Sequence, residues 1–337
     1  MLGRRLISLP VLAVTFALAL ALSPLIVLST VVVDLAVAPR RFPTTRLAWA
    51  VGLYLGWSIV AQFRILGIWL RSGLGLRTWA APTQERYRIA AGWWTQGLIR
   101  ILGRPLGYRV DVEGLEDLHG GPLIVLPRHV SIFDAFLSPA LATEDPAMAV
   151  RLVMMRELRK EPSLDLVGHR APHHFVEREG DDPAAELAAI GALARDMADH
   201  VAVVIYPEGG LFRERVRQRL IDKYSVDDPA AAQKARSLRN LLPIRPGGVL
   251  RLLREAPTGT DVVLVGHVGF EQLTDQLTLW RNVPLREPII LKVFRYRAHE
   301  VPESDDDRLA WLEDRWQELD NWVTEARVAR DQRLNSA

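Results

Sequence analysis

From Leu6 to Val33 the chain carries no charged residue, and from Leu47 to Phe63 it is uncharged again, until Arg64 interrupts and Ile65 to Leu70 resumes the apolar pattern. The first run holds 28 residues, about 42 Å as one helix against a bilayer core of roughly 30 Å. It is too long for a single upright span. Pro24 offers a place to bend, and Asp34 with Pro39-Arg40-Arg41 ends the run. Two membrane-embedded helices are the economical reading. Arg4 and Arg5 precede the first run and Arg40, Arg41 and Arg46 follow it, so the positive-inside rule returns both ends to the cytosolic face. This predicts a hairpin or a half-inserted pair in the cytoplasmic membrane, with the rest of the chain on the cytosolic side. A cleaved signal peptide with Ala19-Leu20-Ala21 at its cleavage site accounts for the first run alone and leaves the second unexplained.

After Gly73-Leu74-Gly75 the pattern changes. Between Thr83 and Leu102, Tyr87, Ala90, Ala91, Trp94, Leu98 and Ile101 recur at helical spacing, which predicts an amphipathic helix. Beyond it, strand-like runs at 108–112, 123–126, 152–155, 174–177, 201–206, 262–265 and 289–294 are interspersed with helical patterns at 132–141, 183–198, 250–255 and 305–326. Such alternation predicts an α/β fold, a mixed sheet flanked by helices. The expected division is residues 1–80 as membrane-associated helices and 81–337 as the α/β domain. In the last helix Ser304 and Asp307 resemble a capping box, and Leu309, Leu312, Trp316, Leu319 and Val323 form a core-facing stripe.

Composition sharpens this picture in three ways. Six of the ten tryptophans (Trp49, Trp57, Trp69, Trp79, Trp93 and Trp94) fall in the N-terminal third, where an interfacial belt would use them. The net charge is only +2, yet residues 211–254 carry eleven bases against four acids, and residues 300–337 five bases against eleven acids. A basic patch so confined suits a phosphate or an anionic membrane surface, and no nucleic-acid partner is expected. There is no cysteine, which removes disulfides, thiolate nucleophiles and Cys-based metal sites.

The candidate chemistry lies directly after the apolar strand 123–126, in Arg128-His129-Val130-Ser131-Ile132-Phe133-Asp134. On one continuous helix, five steps of about 100° would put His129 and Asp134 on different faces. They meet if His129 sits in a strand-to-helix loop and Asp134 in the first helical turn. The carboxylate then accepts the imidazole Nδ1–H and leaves Nε2 as a base. A buried structural His–carboxylate pair has the same spacing, so the pair alone leaves both readings open. Tyr206-Pro207-Glu208-Gly209-Gly210 ends another apolar strand, where open α/β sheets place ligands, although a plain Pro-Gly turn reads the same. Phe175-Val176-Glu177-Arg178 ends a third strand with a guanidinium suited to phosphate. His169, His173 and His174 cluster without an acidic partner at ligand spacing, and no metal is expected.

In order and spacing these blocks resemble the glycerolipid acyltransferase family that makes phosphatidic acid from lysophosphatidic acid. His129 and Asp134 match its His-x4-Asp block, Phe175 to Arg178 its Phe-(Ile/Val)-acid-Arg block, and Tyr206 to Gly209 its Phe-Pro-Glu-Gly block. Arg245-Pro246-Gly247-Gly248 is further similar to the lysocardiolipin-type branch. Two departures stand out: Arg128 replaces the usual Asn before the histidine, and Gly210-Leu211 replace the usual Thr-Arg. The resemblance implies acyl transfer from acyl-CoA or acyl-carrier protein to the free hydroxyl of lysophosphatidic acid or a related lysophospholipid. His129 and Asp134 would be catalytic. Arg178, Glu208, Gly209, Gly210 and Arg213 would hold the acceptor, without a cofactor. Hydrolysis by the same pair, and lipid binding without turnover, are the competing expectations; the chain has no Gly-x-Ser-x-Gly nucleophile motif of the common lipase design.

Overall fold

The computed structural model describes residues 2–177 and 182–336. The described helices are α1 (Leu2–Ala21), α2 (Ser23–Val37), α3 (Pro43–Arg71), α4 (Ala81–Leu106), α5 (Asp134–Ala142) and α6 (Pro162–Gly168), followed by α7 (Pro183–Ala192), α8 (Glu214–Asp227), α9 (Pro229–Ser237), α10 (Pro246–Glu255), α11 (Gln276–Asn282) and α12 (Asp305–Ser336). The strands are β1 (Val110–Glu113), β2 (Leu123–Pro127), β3 (Ala149–Met155), β4 (His174–Val176), β5 (Val201–Val204), β6 (Asp261–Val268) and β7 (Ile289–Tyr296). Two compact units emerge: Met1–Arg109 with Met154–Glu177 and Asp275–Arg286, and Val110–Val153 with Arg178–Thr274 and Glu287–Ala337. The amphipathic helix α4, assigned from sequence to the α/β domain, groups with the N-terminal helices.

In the first unit the long apolar run breaks at Leu22, and α1 and α2 meet at 65°. Pro24 is accommodated in the first turn of α2, where the missing N–H would have had no intrahelical partner. Asp34, the single acid at the end of the run, is fully buried. Its carboxylate accepts the N–H groups of Thr44 at 3.0 Å and Thr45 at 2.7 Å, capping the start of α3. Among the described helices α3 alone is long and apolar enough to cross a membrane, with the bent α1–α2 pair as a second possible span. Only 22% of the apolar window of α3 is buried, whereas the core helix of a water-soluble protein would be mostly buried. α3 packs on α4 through Ile65, Ile68, Tyr87 and Ala90, joined by Leu166 of α6. At Gly97 of α4 a Cβ would lie 2.0 Å from the Trp57 ring of α3, so a larger residue there would have to displace that ring.

The sheet order is β1-β7-β6-β2-β5-β3-β4. β2 pairs in parallel with both β5 and β6, β3 pairs in parallel with β5, and β7 is antiparallel to β6 and parallel to β1. This is the mixed α/β sheet that the alternation predicted. Every residue of β2, β5 and β6 is buried, which is why these strands read as unbroken apolar runs without alternation. Leu312, Trp316, Leu319 and Val323 of α12 are buried as the stripe required, and the Trp316 indole donates to Leu242 O at 2.9 Å. α6, α9 and α11 had no counterpart in the sequence reading. α9 is short and polar, and Asp228 and Asp275 supply the caps of α9 and α11.

Candidate active site

Three neighbouring strands running the same way, β6, β2 and β5, bring their carboxyl ends together, the place where open α/β sheets bind ligands. His129 lies in the loop leaving β2, and Asp134 is the first residue of α5. The loop folds back on itself: His129 Nδ1 is 2.5 Å from Asp134 Oδ1, while Asp134 Oδ2 accepts the N–H groups of Val130 at 2.6 Å and Ser131 at 2.7 Å. One buried carboxylate closes the whole turn. Because an ionised carboxylate only accepts, Nδ1 carries the proton and the lone pair stays on Nε2, which has no protein partner among the described residues.

The imidazole is held by more than its acid. The Tyr206 ring stacks at 4.3 Å from it, and the Tyr206 hydroxyl donates to Asp134 O at 3.3 Å. Burial, reinforced by the Asp134 charge, pushes that phenol far above its ordinary range and keeps it protonated. His267 of β6 donates from Nε2 to Arg128 O at 3.0 Å, and burial pushes its imidazole toward the neutral form.

Arg128 itself is fully buried. Its guanidinium donates to Glu271 Oε1 at 2.6 Å, to His267 O at 2.7 Å and twice to Asn240 O at 3.2 Å. The unusual residue before the histidine is thus a strut behind the loop, with its guanidinium committed to Glu271, His267 O and Asn240 O. Burial alone would raise the Glu271 carboxyl, but the adjacent Arg128 outweighs it and brings it down to about 2.

Glu208, expected from the sequence to hold the acceptor, is buried with both oxygens committed to backbone: Oε1 accepts from His129 N at 2.7 Å and Oε2 from Leu242 N at 2.8 Å. It ties the His129 loop to the segment before α10. Burial pushes its carboxyl up to about 8 despite those two donors and the charge of Arg128. The folded state therefore holds this proton where an ordinary glutamate near 4.5 has lost it. The resulting stability is complete below about pH 4.5 and drains away as pH rises toward 8. Glu208→Gln retains the shape but turns an amide NH₂ against one of the two backbone donors. The expected cost is about 1–3 kcal/mol, with loss of that pH slope, read from thermal unfolding between pH 5 and 8.

Gly209 adopts φ +64°, and a Cβ there would stand 2.6 Å from Arg245 Cδ, so only glycine lets the Arg245 side chain lie across the turn. Arg213 has its guanidinium committed to carbonyls, donating to Val130 O at 2.5 Å, Phe212 O at 2.7 Å and Thr274 O at 3.1 Å. The structure thus gathers His129, Asp134, Glu208, Gly209, Gly210 and Arg213 around one loop, but engages Glu208 and Arg213 in holding it. Arg178 lies outside the described residues. Sequence reasoning assigned no site role to Tyr206, His267 or Arg245. Arg245 opens an Arg-Pro-Gly-Gly stretch, which was the available signal, while His267 and the ring contact of Tyr206 depend on strand neighbours distant in sequence. Among the described residues no group of three His, Asp or Glu side chains could hold a metal.

The family model described as Acyltransferase matches residues 109–266, a span that contains the His129 loop and the Tyr206–Gly210 turn. Among solved structures, the chain is similar to the 1-acyl-sn-glycerophosphate (LPA) acyltransferase PlsC from Thermotoga maritima, with 16% identity, a TM-score of 0.49 and coverage of 81% of this chain and 95% of that one. No curated protein sequence matches the chain.

Proposed function

We propose, from the match of residues 109–266 to the acyltransferase family model, that the chain esterifies the free hydroxyl of lysophosphatidic acid or a related lysophospholipid, with acyl-CoA or acyl-carrier protein as donor. The observation that carries the proposal is the His129–Asp134 pair, with Nε2 left open. Nε2 takes the proton of the acceptor hydroxyl as its oxygen attacks the thioester carbonyl; the carbon–sulfur bond then breaks and the departing sulfur takes the proton from the imidazolium. Asp134 keeps the ring in the required tautomer and stabilises its charge. The amides of residues 129–131 are spent on Glu208 and Asp134. The oxyanion therefore falls to the amides of Gly210 and Leu211, which have no acceptor among the described residues.

The acceptor phosphate meets Arg245. With Arg128 and Arg213 committed to the loop, Arg245 is the exposed guanidinium lying on the Gly209 turn. Arg245→Gln is expected to raise KM for lysophosphatidic acid about tenfold or more while leaving kcat within a fewfold, the cost of one charge-assisted hydrogen bond. Monoacylglycerol, which has no phosphate, is expected to show no change; equal effects on both acceptors would remove this role. The helices α1–α3 attach the protein to the cytoplasmic membrane, with the basic residues flanking the first run on the cytosolic side.

Purified full-length protein offered a panel of lysolipids with acyl-CoA or acyl-carrier protein, read by mass spectrometry, tests the reaction. Diacyl lipid is the expected product. Free fatty acid in its place would identify a hydrolase, and lipid binding without turnover would overturn catalysis.

A further inference from the structure

Between α3 and α4 lies a cleft of about 420 Å³, with Arg64, Arg71 and Arg86 on its walls and Phe63, Ile68 and Ile89 as its apolar lining. No acid lines it. Arg64 and Arg71 stand seven residues apart on α3, close to two helical turns and so on nearly the same face. Arg86 approaches from α4. The Arg64 guanidinium lies 4.7 Å over the Trp93 ring, and none of the three arginines has a carboxylate partner among the described residues. Arg88, two residues beyond Arg86, is by contrast neutralised by Glu85 at 2.5 Å. Three unneutralised guanidinium groups facing one cavity repel one another, and an anion between them relieves that repulsion.

The surroundings narrow the anion to one kind. The long uncharged stretch of α3 stops at Phe63, where the cations begin. Large apolar side chains continue on the outside: Phe63 is 70% exposed, Trp79 69% and Leu76 92%, with Leu66, Leu70 and Leu74 also exposed. Apolar exposure on this scale next to clustered arginines matches a molecule with hydrocarbon chains and a phosphate. We infer that this cleft binds the headgroup phosphate of an anionic membrane phospholipid, whose acyl chains lie against the exposed apolar residues of α3 and the turn after it. The inference rests on the membrane attachment proposed above. It adds a lipid-class preference and a second phosphate site, made by residues other than those around His129.

Flotation of the full chain with vesicles of phosphatidylcholine, with and without phosphatidylglycerol, tests it. Replacing Arg64, Arg71 and Arg86 together by Gln is expected to lower partitioning onto phosphatidylglycerol vesicles by on the order of a hundredfold, roughly fivefold per arginine, without changing binding to phosphatidylcholine. The same charge removed at the exposed Arg40, Arg77 and Arg100 is expected to cost less than a tenth of that loss. Inorganic phosphate is expected not to displace the protein from the vesicles when ionic strength is matched. Equal losses in the two triple variants, an unchanged cleft variant, or displacement by inorganic phosphate would each overturn the lipid site while leaving membrane attachment intact. Failure to bind either vesicle would overturn both. Should the triple variant not fold, Arg71→Gln and Arg86→Gln singly, both at exposed positions, carry the same test at roughly fivefold each.

Discussion

His129→Ala is expected to lower the rate of acyl transfer by on the order of 10² to 10⁴, the range that a positioned general base supplies, with little change in KM for either substrate. The reason is local. Nε2 is the open nitrogen of an imidazole whose other nitrogen is fixed at 2.5 Å to Asp134. In the proposed reaction, the acceptor hydroxyl would then have to lose its proton to water. The fold is expected to survive, because Asp134 keeps its two backbone donors at 2.6 and 2.7 Å and Glu208 still accepts from the amide of residue 129. Single-turnover formation of diacyl lipid, together with an unchanged unfolding temperature, is the measurement. A variant that retains full activity would remove His129 from the chemistry.

The second large effect concerns stability. Arg128→Met is expected to destabilise the protein by about 3–5 kcal/mol, because it leaves Glu271 without its counter-charge and removes donors from His267 O and Asn240 O in a buried setting. The pH dependence follows the same pair. Glu271 is held to about 2 against an ordinary 4.5, so the pair contributes its stability above about pH 4.5 and loses it as pH falls toward 2. In Arg128→Met that acid-range slope is expected to disappear. Thermal unfolding in detergent at several pH values reads both effects, and Arg128→Met combined with Glu271→Gln is expected to recover part of the loss. Wild-type stability in the single variant would show that the strut is dispensable. A fall in activity with a rise in KM alone would point to a substrate contact instead.

Much of this architecture is legible along the chain. The uncharged runs, the kink before α2, the seven strands, the stripe on α12 and the His129–Asp134 turn all follow from local period and from residues a few positions apart. Helix α9 was not legible because its nine residues are mostly polar or alanine and its cap, Asp228, is a short local signal.

Side-chain roles divided differently. Glu208 and Arg213 have the residue types of ligand contacts, and their positions after strand β5 suit a binding loop. Which groups they meet depends on Leu242, Val130 and Thr274, brought beside them only when the strands pair. The same holds for Arg128, whose partner Glu271 lies 143 positions further along. A buried polar or charged group takes whatever donors or acceptors the fold sets next to it, because leaving it unpaired is costly. The sequence by itself therefore determined the fold class, the apolar segments and the His–Asp pair, all products of short-range pattern. Tertiary structure alone decided which charged residues brace the His129 loop and which, like Arg245 and the arginines of the α3–α4 cleft, are left without a carboxylate partner among the described residues, because partner choice is made by strand and helix packing over long stretches of chain.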